Sequence, residues 1–331
     1  MSQEQRLIYV GMHDGVCSVS SDDGGKTWQR GSITQLPHAA ARVSASSAGP
    51  GRAWLAAYEA GVYRTDDGGQ TWTHVPSYPS DYAHSVLADP GSADSVLVGS
   101  EPAALFRSND AGSTWEECRS FQDVPESTNW GFHAPTRDSH VRDLVVSSVD
   151  SEVLFAGIEV GGVVRSTDGG QSWRQLPGLD DDIHCLHLGT DRQQRVYAAT
   201  ASAPYRSSNG GDHWEKINDG LARRYTLHIA AAPDDSDLVL VTVSENARRK
   251  SPQFYRSTDG GNTWRKVEGL GEGEEAEDMV VAFEWDPSSP GDVYAGTDGG
   301  KLYHSPDRGE TWRQLSVTLP SVAVGALAVA G

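Results

Sequence analysis

Acidic residues stand shortly before a recurring turn phrase: Glu59, Glu101, Glu159 and Asp298, with His13 in the first copy and Glu245 displaced by one in the sixth, while Ala201 breaks the series in the fifth. Carboxylates gathered in one place can act as acid/base groups or attract a cation; dispersed, they are solvated turn residues. A second polar set lies on apolar runs of the same repeats. Aligned on those runs, His84, Arg142 and His184 are equivalent, His140 and Tyr225 fall two residues earlier in theirs, and His228 is out of phase. Strand side chains alternate with a period of two. His140 and Arg142 are therefore expected on one side, as are His184 and Leu186, with Cys185 and His187 opposite. Such groups suit a small anionic or sugar-like ligand. A metal held by His84, His140, His184 and His228 is the competing chemistry; the unequal registers argue against it, and no cofactor is expected.

These residues must be positioned by the repeat itself. The phrase Ser/Thr-x-Asp-x-Gly-x-Thr-Trp occurs seven times, at residues 21–28, 65–72, 108–115, 166–173, 207–214, 257–264 and 305–312. The mean spacing of about 47 residues is that of a radial or solenoid array. In each copy Asp and Ser can bond nearby backbone N–H groups, Gly supplies positive φ, and Thr-Trp restarts a strand. The fifth copy has Asn209 and His213 for Asp and Thr, and Asn still serves the turn. Runs such as 142–147 and 153–157 add two strands before each hairpin, giving four per repeat, called a to d. A four-stranded sheet cannot bury both faces alone, so seven must stack, and a seven-bladed, all-β propeller is expected. Residues 6–11 read as strand b with no strand a before them, and residues 324–329 supply the missing strand. One domain over 1–331 follows, with blade 1 shared by residues 1–31 and 321–331 and closed by the C-terminal strand.

On these seven boxes the whole chain resembles the Asp-box, or BNR-repeat, β-propellers, whose members include sialidases, xyloglucan-degrading hydrolases, sorting-receptor ectodomains and photosystem II assembly factors. The resemblance implies that Asp23, Asp67, Asp110, Asp168, Asp259 and Asp307 are fold residues, on the face away from the ligand site. It leaves function open. The Arg-Ile-Pro signature of sialidases is absent, and seven blades exceed the six of that family.

Composition excludes several classes. A net charge of −19 and a pI near 4.9 repel nucleic acid. Three cysteines without CxxC spacing support neither a disulfide framework nor a Cys-rich zinc site. No apolar signal segment or membrane-spanning run is seen, so a cytoplasmic monomer is expected. The d–a loops and b–c turns are irregular from repeat to repeat, and binding is expected there. The longest loop, 119–139, carries Trp130 and His133 and suits a lid or a rim insertion; 246–253 adds a basic segment. The primary expectation is a propeller that binds a ligand, or a protein partner at its rim, through His84, Arg142, His184, Trp130, His133, Glu59, Glu101 and Arg224. The alternative is a glycosidase-like hydrolase or lyase using Glu159, His140 and Tyr225.

Overall fold

The boxes fold as hairpin turns because their polar groups satisfy one another. In the sixth, Ser257 Oγ donates to Asp259 Oδ1 at 2.8 Å and accepts from Gly261 N–H at 2.8 Å. Asp259 also accepts from the amide and hydroxyl of Thr263 at 2.8 and 2.7 Å, while Gly260 and Gly261 take φ of 70° and 89°. Asn209 reproduces the amide contact in the fifth box, accepting from His213 N–H at 3.0 Å. Hydrogen bonds from the hydroxyl and amide of Ser172 and from Ser166 hold the Asp168 carboxyl down to about 2. Such carboxylates are committed to the turn, as expected.

The computed structural model describes residues 5–131, 138–190, 195–270, 273 and 275–330. The fold is an all-β, seven-bladed β-propeller with four antiparallel strands per blade in the order a-b-c-d, the first sheet carrying in addition the short strand Thr34–Gln35. Helical structure among the described residues is limited to short 3-10 turns at Arg119–Phe121, Pro125–Asn129 and Ala276–Asp278. None is long and apolar enough to cross a membrane. The C-terminal segment enters the first sheet, with Ile8, Tyr9 and Val10 opposite Val329, Ala328 and Leu327. That strand is shorter than the sequence suggests, spanning only Leu327–Val329.

The chain falls into two compact units. Unit 1 comprises Met1–Val98, Arg107–Glu116 and Val280–Gly331; unit 2 comprises Gly99–Phe106 and Glu117–Met279. In unit 1 a core runs through Tyr9, Val16, Leu55 and Trp72, with the Tyr9 and Trp72 rings edge to face at 5.9 Å. In unit 2 one core joins Phe155, Val163 and Leu176 of repeat four to Ile183, Leu186 and Trp214 of repeat five. The next joins Cys185 and Tyr197 to Ile229, Val241 and Tyr255 of repeat six. Box tryptophans thus fill the space between successive sheets; Trp28, Trp72, Trp173 and Trp214 are buried.

A polar network also ties the N-terminal strand to the last repeat inside unit 1. Arg6 donates to the Tyr294 hydroxyl at 2.7 Å and lies 3.2 Å from Asp292, which His304 also contacts. Burial works to raise the Asp292 pKa, but the bonds from His304 and Ser289 and the Arg6 charge outweigh it and hold the value down to about 2. A carboxyl with a pKa near 4 when unfolded and about 2 when folded stabilises fully above the higher value and progressively less as pH falls through the lower one.

Two outcomes are expected. Trp72→Ala should cost roughly 3–5 kcal/mol through the cavity it leaves, read by urea denaturation. Asp292→Asn should flatten the loss of stability between about pH 4 and pH 2, read from unfolding midpoints across that range.

Candidate functional site

Strand a is interrupted at the same place in five repeats. Register shifts occur between Ala40 and Arg42, Val141 and Asp143, Ile183 and Cys185, Thr226 and His228, and Val280 and Ala282. The residue left without a ladder partner in repeats four and five is Arg142 and His184; in repeat six it is Leu227. A bulge of this kind re-aims a side chain and is over-represented beside functional sites. It also corrects the simple alternation. Ile183 and Leu186, three apart, share one core while Cys185 joins the next, so His184 does not share a side with Leu186. His140 and Arg142 meet at a common partner.

That partner is Glu159, at the end of strand b of repeat four (Leu154–Glu159) and opposite His140 in the ladder. Its Oε2 lies 3.0 Å from His140 Nε2 and 3.6 Å from Arg142 Nε. Glu101 Oε2 lies 3.6 Å from His140 Nδ1, so a carboxylate stands at each edge of the imidazole. His140 has 0% exposure, against 11% and 15% for the Glu101 and Glu159 side chains and 20% for Arg142. The cluster therefore grades from a buried ring to a partly open guanidinium, all within unit 2.

Repeat five adds His184, whose Nδ1 lies 2.6 Å from the Thr226 carbonyl. A carbonyl only accepts, so Nδ1 carries the proton. Nε2 faces Asp182 at 3.4 Å, and the ring tilts against Tyr225 at 4.7 Å. Tyr225 begins strand a of repeat six (Tyr225–Ala232) and is half-buried. Burial first, then the negative fields of Asp182 and Glu159, push its phenol up to about 12, against the opposing fields of Arg142 and Arg249. The hydroxyl is thus protonated at neutral pH and available as a donor.

Glu101, Glu159, His140, Arg142, His184 and Tyr225 all belong to unit 2. His84 belongs to unit 1, buried at 5.0 Å from the Tyr58 ring. Glu59 is at a turn apex with φ of 51° and contacts His38 at 3.4 Å. By ladder register, with Ala57 opposite Gly61 and Ile158 opposite Gly162, Glu59 corresponds to Val160 and not to Glu159. The acidic series is therefore offset by one residue at that point. Arg224 is exposed, and His228 is buried beside its bulge. His133 lies outside the described residues. Asp182 and Gln175 were not singled out by sequence reasoning; the spacing of Asp182 two residues before His184 was the available signal.

The long loop packs as a rim insertion over its described part. Phe121 is fully buried between Trp130 and Trp173, at 5.2 and 5.5 Å. Trp130 Nε1 donates to Gln175 Oε1 at 2.9 Å, and Gln175 Nε2 donates to the Gly161 carbonyl at 2.9 Å. Gly131 N–H donates to the Val160 carbonyl at 2.9 Å. The turn held in this way follows Glu159 directly, and its Val160 has φ of 57°, a strained value for a β-branched residue.

The chain belongs to the family of the DUF6242 beta propeller domain, whose model matches residues 2–271. Xyloglucanase Xgh74A of Acetivibrio thermocellus is 26% identical over 122 residues, covering 32% of this chain and 14% of that enzyme. The chain thus spans about one-seventh of the length of that relative. Among solved structures, the GH74 xyloglucanase from Xanthomonas campestris aligns with a TM-score of 0.66 at 16% identity, over 92% of this chain and 54% of the other. YCF48 bound to D1 peptide aligns with a TM-score of 0.57 at 18% identity, over 94% and 85%. Likenesses at these identities establish the fold alone.

Gln175→Leu keeps the side-chain volume but removes both bonds. We expect faster amide exchange at Gly161 and Gly162, measured by hydrogen–deuterium exchange, with the rest of repeat four unchanged; unaltered exchange there would show that the turn does not depend on the clamp.

Proposed function

We propose that the protein is a binding propeller, taking a small polar ligand at the Glu101–His140–Glu159–Arg142 cluster and the adjoining His184 and Tyr225. One observation carries the reading: a fully buried imidazole stands between two carboxylates, and the outer carboxylate is in contact with a partly open guanidinium. Burying ionisable groups costs several kcal/mol each, and buried pairs are weak contributors to stability. Such a set, on strands re-aimed by bulges, supports a site retained for recognition.

The glycosidase-like alternative finds less support. Hydrolysis of a glycosidic bond needs two carboxylates flanking the substrate, with one able to protonate the leaving oxygen. Here the space between Glu101 and Glu159 is occupied by His140. The neighbours include xyloglucanases and a peptide-bound YCF48, so sugar-like ligands and a protein partner at the rim are both compatible with the fold. In this reading the protein works as a monomer in the cytoplasm without a cofactor. Cys17, Cys118 and Cys185 are all free thiols, which fits a reducing compartment.

The test is a thermal-shift and calorimetric screen of the whole chain against neutral sugars, uronic acids, dicarboxylates and amino acids. At least one class should stabilise the wild type, and Arg142→Ala should weaken that binding about tenfold or more while retaining the free protein's circular dichroism. Equal affinity in the variant would remove the site, and turnover of an aryl glycoside would favour the enzyme.

A further inference from the structure

One hairpin departs from the other six in both length and charge. The b–c turn of repeat six covers residues 245–252, eight residues, where the corresponding turns of the other repeats have two to four. It carries Arg248, Arg249 and Lys250, and none of the other six turns holds a lysine or an arginine. Strand a of the same repeat begins at Tyr225, opposite Ser244 in the ladder, which brings Arg223 and Arg224 beside the start of the turn. Arg223 contacts Glu245 at 3.3 Å. Five cations are thus gathered on two adjacent segments of unit 2, residues 221–225 and 245–252, whose own acid is Glu245 alone. The carboxylates of the neighbouring strands are engaged elsewhere, Asp182 with His184 and Glu159 with His140 and Arg142. Insertions into a regular array map to loops on one face, often the binding face.

The turn is ordered by its own hydrogen bonds. Glu245 N–H donates to the Lys250 carbonyl at 3.0 Å, and Arg249 N–H donates to the Asn246 carbonyl at 2.8 Å. Asn246 Oδ1 accepts from Arg248 N–H at 2.9 Å, and the Ser244 hydroxyl donates to the Asn246 carbonyl at 3.0 Å. Arg249 and Ser251 take φ of 58° and 48°, left-handed values that favour glycine, yet an arginine occupies the first. Arg224, Arg248 and Lys250 are exposed, and Arg223 and Arg249 are half-buried. The charges therefore stand on a preorganised backbone, which lowers the ordering cost of binding.

We infer that Arg223, Arg224, Arg248, Arg249 and Lys250 form a docking surface for an acidic, extended segment of a partner protein, distinct from the small-ligand cluster and independent of that reading. The contact of Arg223 with Glu245 places one carboxylate of the chain itself on this surface. Cations spread along two segments suit a peptide that presents carboxylates in series better than a single small anion, and guanidinium–carboxylate contacts are the strong charge-assisted ones. A nucleic acid fits less well. A phosphate backbone running past this hairpin meets the acid excess of a chain with 46 acidic and 27 basic residues, whereas a short acidic peptide ends within the basic surface.

The test uses the full chain in fluorescence anisotropy with a labelled peptide of alternating glutamate and glycine, alongside its lysine counterpart, a single-stranded oligothymidylate and phosphatidylserine vesicles. The acidic peptide should bind, more weakly as salt rises from about 50 to about 300 mM, and the lysine peptide should not. Arg248→Ala combined with Lys250→Ala should weaken the acidic peptide about tenfold. Lys26→Ala combined with Arg30→Ala makes the same change of net charge at exposed residues of repeat one and should alter binding by less than about twofold. Asn246→Ala keeps every charge but removes the oxygen that holds Arg248, and should weaken binding about threefold. Arg224→Ala repeats the first arm if the double variant does not fold. Equal losses in the two double variants reveal bulk charge alone and overturn the inference, as does stronger binding to the oligonucleotide or the vesicles. Absence of binding by the wild type also overturns it, and binding that emerges only after Glu275→Gln with Glu277→Gln assigns the surface to the chain's own acidic run instead.

Discussion

The arginine immediately before a box holds one blade to the next. Arg165 and Arg206 donate to the carbonyls of Gly210 and Gly260 in the following boxes of unit 2, and Arg64 does the same to Ala111 in unit 1. The seventh repeat has His304 at that position, and Arg313, just after the box tryptophan, donates instead to the Gly25 carbonyl of the first box at 3.1 Å. A guanidinium is always charged and reaches carbonyl oxygens in a fixed fork. The turn can receive it because the box has already satisfied its own amides through Ser and Asp, leaving outward carbonyls as acceptors. With apolar packing around Trp72, Trp173 and Trp214, this contact makes each sheet depend on its neighbour, which is the constraint a four-stranded sheet cannot escape.

Because the box ends are consumed by turn and inter-blade bonds, chemistry is left to the opposite hairpins. There the b–c turns differ from repeat to repeat, and strand a is broken by a bulge in five of them. The bulge releases Arg142 and His184 from the ladder. Neighbouring polar groups then hold the strands in place: Asp143 accepts from Leu186 N–H at 2.8 Å, and His184 from the next strand binds the Thr226 carbonyl. The same few residues thus tie strand to strand and furnish the charged cluster.

Trp130 illustrates how a loop can hold a neighbouring turn through an intermediary side chain. Its indole packs on Phe121 and binds Gln175, which in turn holds Gly161. The strained Val160 lies inside that clamp and next to Glu159. Strain of this sort persists only where surrounding contacts over-determine the backbone.

The repeat, the strand count, the terminal pairing and the structural role of the box aspartates were all determined by the sequence, because each rests on local turn chemistry and on a period that recurs seven times. Arg142 and His184 were also legible as equivalent positions. What only the tertiary structure decided was phase and neighbourhood. A bulge shifts side-chain direction by one residue and leaves no mark in the hydrophobic pattern, so the expected pairing of His184 with Leu186 was wrong, and Glu59 fell out of line with Glu159. Which carboxylates flank His140, and that Tyr225 meets His184, depend on contacts between residues of different strands far apart in the sequence; spacing along a chain carries no information about such distances until the sheets have packed.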